Sequence, residues 1–390
     1  MSKIDDMIKN LCPDGVEYKP LGETCFYPKQ GIDFNSLDEN SYVGVENLLK
    51  NKSGKTKSAF LPKTGCPIEY LRNDILIGNI RPYLKKIWIA DNNGGTNGDV
   101  VLIRIKKEYV NLLLPPFLYY LLSSDSFFEY DTQYSRGAKM PRGDRDMIAK
   151  YPIPLPPLPI QEEIVKILYG FTRLEAELEA ELEVRKKQYE YYCDKLLSFE
   201  GMNMSQPGEI RLMAVSELCD ISRGRVMSKK FLSDNPGNYP VYSSQTANDG
   251  VLGRISTFDY DGEYLTWTTD GANAGSVFHR KGKFSITNVC GLLRVKHAMV
   301  LPRYLFYILK KTAPSAVNSG MGNPKLMSNM MGMIKIPVPA IKEQERIVSI
   351  LDKFDALVND FTIGLPAALT ARRQQYEYYR DRLLSFKKRA

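Results

Sequence analysis

Residues 185–199 read RKKQYEYYCDKLLSF, and residues 372–386 read RRQQYEYYRDRLLSF. Eleven of the fifteen positions are identical, although the copies lie 187 residues apart. An internal repeat outranks any local pattern as evidence of architecture. It implies a unit of roughly half the chain occurring twice, each copy closing with a tyrosine-rich helix.

Immediately upstream of each copy lies a long apolar series. Tyr151 to Pro159 reads YPIPLPPLP, an extended segment that can be neither helix nor central strand, and Gln161 opens the first helix. Its stripe runs Ile164, Leu168, Phe171, Leu174, Leu178, Leu182, Tyr189, Tyr192, Leu196 and Phe199, with Arg185 in the one gap. Ten steps in 35 residues average 3.5, the coiled-coil period. Ile336-Pro337-Val338-Pro339 repeats the entry. The second stripe is Ile347, Leu351, Phe354, Leu357, Phe361, Leu365, Leu369, Tyr376, Tyr379, Leu383 and Phe386. Gly364-Leu365-Pro366 is expected to kink or briefly break this helix. The helix interface is assigned to Leu174, Leu178, Leu182, Tyr189, Tyr192, Leu196 and Phe199 with Phe361, Leu369, Tyr376, Tyr379, Leu383 and Phe386.

Phe171 to Tyr189 spans 18 residues, whereas Phe354 to Tyr376 spans 22. The first helix also carries a tetrapeptide tandem, LEAE at 174–177 and 178–181, then LEVR at 182–185. Four residues lengthen a helix by about 6 Å and turn it about 40° past a full turn. Such a tandem can grow or shrink by units without destroying the stripe; the plainer alternative is a solvated glutamate face.

Between the helices the text is mixed, with short β-branched runs, glycine- and asparagine-rich turns and one proline-led helix per copy. Gly137, Pro141, Ile153 and Pro154 match Gly320, Pro324, Ile336 and Pro337 at a constant offset of 183. The fold class is α+β, with an N-terminal helix (1–15), a mixed domain (16–151), a proline entry and helix (152–200), a linker (201–208), a second mixed domain (209–335) and a second entry and helix (336–390). The framing is duplicated while its contents diverge, which suggests one scaffold role performed twice on two different objects.

The 390 residues include 43% apolar side chains, enough for real cores, and no run approaches a membrane span or a signal peptide. Six cysteines form no CxxC pair, which favours free thiols in a reducing cytoplasm. Two histidines leave little imidazole for acid–base or metal chemistry, and no metal site is expected. The NKSGKT stretch at 51–56 lacks the first glycine of a P-loop, and neither GxGxxG nor GxSxG is present. No catalytic residue is assigned.

A net charge of +8 permits a polyanionic partner. Basic and amide side chains in the loops of the mixed domains suit phosphates and base edges. The candidates are Asn79, Arg81, Lys85, Lys86, Arg136, Lys139 and Arg142 in the first domain. In the second they are Arg223, Arg225, Lys229, Lys230, Ser244, Gln245, Asn273, Asn323 and Lys325.

Taken together, the proline entries PLPPLPIQEEIV (154–165) and PVPAIKEQERIV (337–348), the helix ends QYEYY…LLSF and the N-terminal LCPDGVEY (11–18) resemble the specificity subunit of type I restriction–modification systems. The resemblance covers the whole chain. It implies two target recognition domains, each reading one half of a bipartite asymmetric site in double-stranded DNA, joined by two long antiparallel coiled-coil helices with pseudo-twofold internal duplication. The helices would set the spacer and dock two modification subunits, which carry S-adenosylmethionine and methylate adenine. Restriction subunits would join with ATP and Mg to cleave DNA. This chain would bind no cofactor, act in the cytoplasm and have no membrane partner. Tyr191 and Tyr378, off the stripe, are the candidates for partner contact. The competing reading is a stand-alone DNA-modifying or DNA-cleaving enzyme with its own reader domains.

Overall fold

The computed structural model of the chain describes residues 2–198, 210–320 and 322–389. Phe199 and the linker 201–208 lie outside the described residues. The chain forms two compact units, the first made of Met1–Glu179 with Leu369–Ala390 and the second of Ala180–Ala368.

In the first unit, helix Ser2–Leu11 buries Ile4 and leaves Leu11 exposed. A four-stranded antiparallel sheet has the order Cys25–Phe26, Val100–Ile105, Ile75–Gly78, Ile87–Ile89. A three-stranded sheet places Gly94–Thr96 between Tyr42–Val43 and Ile68–Tyr70. Strand Ile75–Gly78 is a continuous apolar run because it is covered on both faces: Ile75, Leu76 and Ile77 are all buried, with Leu76 in a different cluster from its two neighbours. Helix Pro115–Leu122 starts on a proline whose missing N–H would be unpartnered in any case. It packs Phe117, Leu118, Leu121 and Leu122 into one core with Ile160, Ile164 and Leu168 of the first long helix. Each such buried side chain stabilises by about 1.5–3 kcal/mol.

The second unit replaces both sheets by one of six strands, ordered Cys219–Arg223, Cys290–Val295, Tyr260–Thr268, Val277–Ile286, Pro236–Tyr242, Val251–Ile255. Its centre is Trp267, fully buried, with its indole N–H donating to the Leu326 carbonyl at 2.9 Å. A Cβ at Gly291 would fall 2.2 Å from the Trp267 ring, so only glycine fits opposite it.

The frame is common to both units. The proline entry is a strand, Pro152–Pro154 paired antiparallel with Tyr18–Pro20, and again Lys335–Val338 with Arg211–Ala214. The first long helix is unbroken over Leu158–Leu197. It begins three residues before Gln161, and Pro159 lies inside its first turn, where a helix tolerates proline. The excluded helical state of YPIPLPPLP is therefore wrong for its last two residues.

The second long helix is broken, with Ile341–Asn359 followed by Leu365–Leu383. Asp360 stops the first half: its carboxylate accepts from the Thr362 N–H at 2.6 Å and the Ile363 N–H at 3.3 Å. A Cβ on Gly364 would meet the Ala356 carbonyl oxygen at 2.4 Å, so the turn needs glycine. Pro366 then sits in the first turn of the second half. The break falls between Phe354 and Tyr376, the interval that is four residues longer than its counterpart in the first helix. It also overturns the assignment of Phe361 to the helix interface: outside any helix, its ring is 79% exposed.

Candidate nucleic-acid interface

Each unit contains a hairpin bridged to the end of a sheet strand, and the same backbone bonds build both. In the first unit the Arg136 N–H donates to the Arg142 carbonyl at 2.9 Å and the Arg142 N–H to the Arg136 carbonyl at 2.8 Å. The Arg81 N–H reaches the Pro141 carbonyl at 2.7 Å, and the Gly143 N–H reaches that of Asn79 at 3.0 Å. In the second unit Asn318 and Lys325 exchange bonds of 2.9 and 3.0 Å. There the Gly271 N–H reaches the Pro324 carbonyl at 3.0 Å, and the Leu326 N–H reaches that of Thr269 at 2.9 Å. Residues 79–81 thus correspond to 269–271, and 141–143 to 324–326.

On these platforms the structure brings together Arg81, Arg136, Lys139 and Arg142, and separately Asn273, Asn323 and Lys325. Arg136 is 82% exposed beside Asp144, and Arg142 pairs with Asp99 at 2.7 Å. Lys325 lies 3.9 Å from Asp270. Arg81, Lys139, Asn273 and Asn323 are exposed.

The other candidates lie off the platforms or beneath them, and most of them make contacts within their own unit. Asn79 is 7% exposed, an anchor beneath the platform whose carbonyl holds Gly143. Lys85 donates to Asp125 at 2.6 Å, and Lys86 donates to the Val45 carbonyl at 2.6 Å. Burial pushes the Lys86 ammonium down from its ordinary pKa. Arg223 donates to the Thr269 hydroxyl at 2.8 Å and so underpins its platform. Arg225 is held by Asp259 at 3.0 Å and lies over the Phe231 ring. Gln245 closes its own turn onto the Val251 carbonyl, next to half-buried Ser244. Lys229 and Lys230 are exposed on the Lys229–Asp234 helix, away from the hairpin bonds.

On the long helices, Tyr189 belongs to the second unit's core, with Leu182 and Leu196 packed against it. Leu383 belongs to the first unit's core, with Tyr376, Tyr379 and Phe386 packed against it. Leu369 is buried and Leu178 half-buried, while Leu174 is 38% exposed, contrary to its assignment. Tyr192 stacks on Phe354 at 5.2 Å yet keeps an exposed edge. Tyr191 and Tyr378 are 58% and 60% exposed.

Three groups of residues escaped the sequence reading. Gln161 is fully buried; its Oε1 accepts from the Leu114 N–H at 2.9 Å, and its Nε2 donates to the Leu112 and Pro156 carbonyls at 2.8 and 2.7 Å. Gln344 repeats the clamp on Leu301, Met299 and Pro339 at 2.9, 2.8 and 2.8 Å. The signal was present, since both glutamines obey the 183-residue offset. The second group centres on Asp125, whose carboxylate accepts from Lys52 at 2.8 Å, Lys85 at 2.6 Å and fully buried Arg380 at 3.0 Å. Burial acts to raise that carboxyl, but the three cations outweigh it and hold it well below the usual carboxylate range. The third is Arg373, which reaches both Glu175 and Glu179 of the LEAE tandem.

Among the described residues no cluster of three or more His, Cys, Asp or Glu could hold a metal ion, and no helix is long and apolar enough to cross a membrane. The model of the type I restriction modification DNA specificity domain matches twice, at residues 13–184 and 207–371. S.MpnORF615P of Mycoplasma pneumoniae, named as a type I specificity subunit, is 43% identical over 235 residues, 60% of this chain and 92% of its own. The EcoR124I/EcoR124II specificity subunit of Escherichia coli is 35% identical over 264 residues, covering 61% of this chain and 64% of that one. The S subunit of a type I system from M. genitalium shares the fold, with a TM-score of 0.61 at 15% identity over 95% of this chain and 96% of that one. Two matched domains spanning most of the chain, on a duplicated α+β frame with long helices, place this protein in the family of type I restriction–modification DNA specificity subunits.

Proposed function

We propose that each mixed domain is a target recognition domain reading one half of a bipartite, asymmetric DNA site. The long helices set the distance between the half-sites and dock two modification subunits. Those subunits carry S-adenosylmethionine and methylate adenine, and restriction subunits joining the complex cleave DNA with ATP and Mg. This chain supplies the address in the cytoplasm and binds no cofactor itself. Tyr191 and Tyr378, exposed at equivalent points of the repeated helix end, are the proposed modification-subunit contacts.

The observation that carries this reading is an identical frame around unlike contents. The glutamine clamp and proline strand occur twice. Between them one unit has sheets of four and three strands and the other a single sheet of six. A scaffold preserved twice around divergent domains fits one assembly role with two recognised objects.

The test is a map of methylated adenines in cells expressing the full chain with its modification subunit. Exchange of residues 16–150 for those of a relative should change one half-site and leave the other intact. A simultaneous change in both would overturn the modular reading. Methyl transfer or cleavage by the isolated chain would favour the enzyme alternative.

A further inference from the structure

The two platforms share their backbone bonds and differ in what they carry. One position of the match demands an explanation. Gly271 has φ +93°, which glycine adopts without hindrance, whereas its equivalent Arg81 holds φ +56°. A left-handed backbone is disfavoured for any residue with a Cβ. Lys85, also left-handed, is accounted for by its ion pair with Asp125. Arg81 has no such reason: among the described residues no hydrogen bond or ion pair engages its guanidinium, and it is exposed. Neither packing nor pairing within the unit explains an arginine where glycine would be easier.

The remaining side chains divide by chemistry. The first platform carries Arg81, Arg136, Lys139 and Arg142. The second carries Asn273 and Asn323, whose amides have no partner among the described residues, together with Lys325. Arginine pairs bidentately with guanine O6 and N7, and asparagine with adenine N6 and N7. Strained backbone of this kind persists where the side chain it presents is used.

We propose that the bridged hairpin is the base-reading element of each unit, with Arg81 set against a guanine edge in one half-site and Asn273 and Asn323 against adenine edges in the other. This rests on the DNA-specificity reading above. Lys139, in the turn of the first hairpin, and Lys325, at the base of the second, are phosphate contacts that fix the register.

The test uses the full chain assembled with its modification subunit, carrying Arg81→Gly or the pair Asn273→Ala and Asn323→Ala. Arg81→Gly relieves the backbone, so the variant should melt no lower than the parent. It should nevertheless lose discrimination at one guanine of one half-site by about 5- to 150-fold, the range of a bidentate base contact. The asparagine pair should relax adenine positions of the other half-site only. A wild-type motif methylated at the wild-type rate by Arg81→Gly would overturn the platform while leaving the specificity role standing. Absence of any bipartite motif with the unaltered complex would overturn both.

Discussion

Phe171 lies stacked on Tyr379, their ring centroids 5.5 Å apart and their planes 28° from parallel. The second unit makes the same contact with the copies exchanged, Phe354 on Tyr192 at 5.2 Å and 28°. In each unit the phenylalanine early in one long helix meets a tyrosine of the repeated YEYY of the other. Offset-stacked aromatic pairs contribute about 0.5–1.5 kcal/mol beyond burial. A double-mutant cycle with Phe354→Leu and Tyr192→Leu should return a coupling in that range from denaturant midpoints. Phe361→Ser, outside both stacks, should change stability by no more than about 0.5 kcal/mol.

The glutamine clamps predict a larger effect from a smaller change. Gln161→Leu or Gln344→Leu keeps the volume but strands one backbone N–H and two carbonyls, the Pro156 or Pro339 carbonyl buried and the other two groups partly so. Each stranded group costs about 1–3 kcal/mol. A total loss of about 3–5 kcal/mol is expected in urea unfolding, against under about 1 kcal/mol for the exposed neighbour Glu162→Leu.

Asp131 makes the stability of the first unit depend on pH. The side chain is 2% exposed and its Oδ1 has no partner. Burial raises the carboxyl to about 7. The folded state therefore holds a proton that the unfolded chain, titrating near 3.9, has released. Between these values the folded state binds more protons, so stability falls as pH rises from about 4 to 7. Asp131→Asn should flatten that fall and stabilise the protein above pH 7 by on the order of 2–4 kcal/mol. Equal slopes for the two proteins across that window would refute the assignment.

Around Asp125 the two partners are not equivalent. Asp125→Asn leaves Lys52 and Lys85 crowded without a counter-charge and Arg380 paired with Asp381 alone, and should cost about 3–5 kcal/mol. Arg380→Met removes one cation of three, leaves the carboxylate paired and keeps an apolar stem, and should cost clearly less. Thermal denaturation of the two variants at one ionic strength gives the ordering.

Arg373 supplies a reason for the tandem's period. It grips Glu175 and Glu179, one residue from each LEAE unit. A shift by four residues therefore presents another glutamate pair to the same guanidinium. Insertion of one LEAE unit after Glu181 should leave the fold intact and alter half-site spacing in the methylation map. Unchanged spacing would reject that role.

Much of the frame was legible before the structure. The proline-led helices, the long amphipathic series and the coming break near Gly364 all follow from local periodicity and backbone sterics. The exact site of the break did not: Asp360 caps the helix four residues before the glycine, and the stripe alone kept Phe361 on a helix. The candidate surface was legible only in part. Arg81 and the 136–142 hairpin came together as loop candidates, but Lys85 and Lys86 looked the same in sequence and turned inward. A lysine bound for solvent and one bound for a carboxylate are spelled alike.

By itself, then, the sequence determined the duplication, the long helices and the family, because repeated motifs and 3.5-residue periods are written in the order of residues along the chain. Only the tertiary structure decided which polar groups are consumed internally and which are left to meet a ligand. Arg380 and Asp125 are 255 residues apart in the chain yet 3.0 Å apart in space. Arg81 takes a backbone conformation that its equivalent reserves for glycine. Hydrogen-bond partners and dihedral strain are set by folding, and neither is written in the spacing of QYEYY and LLSF.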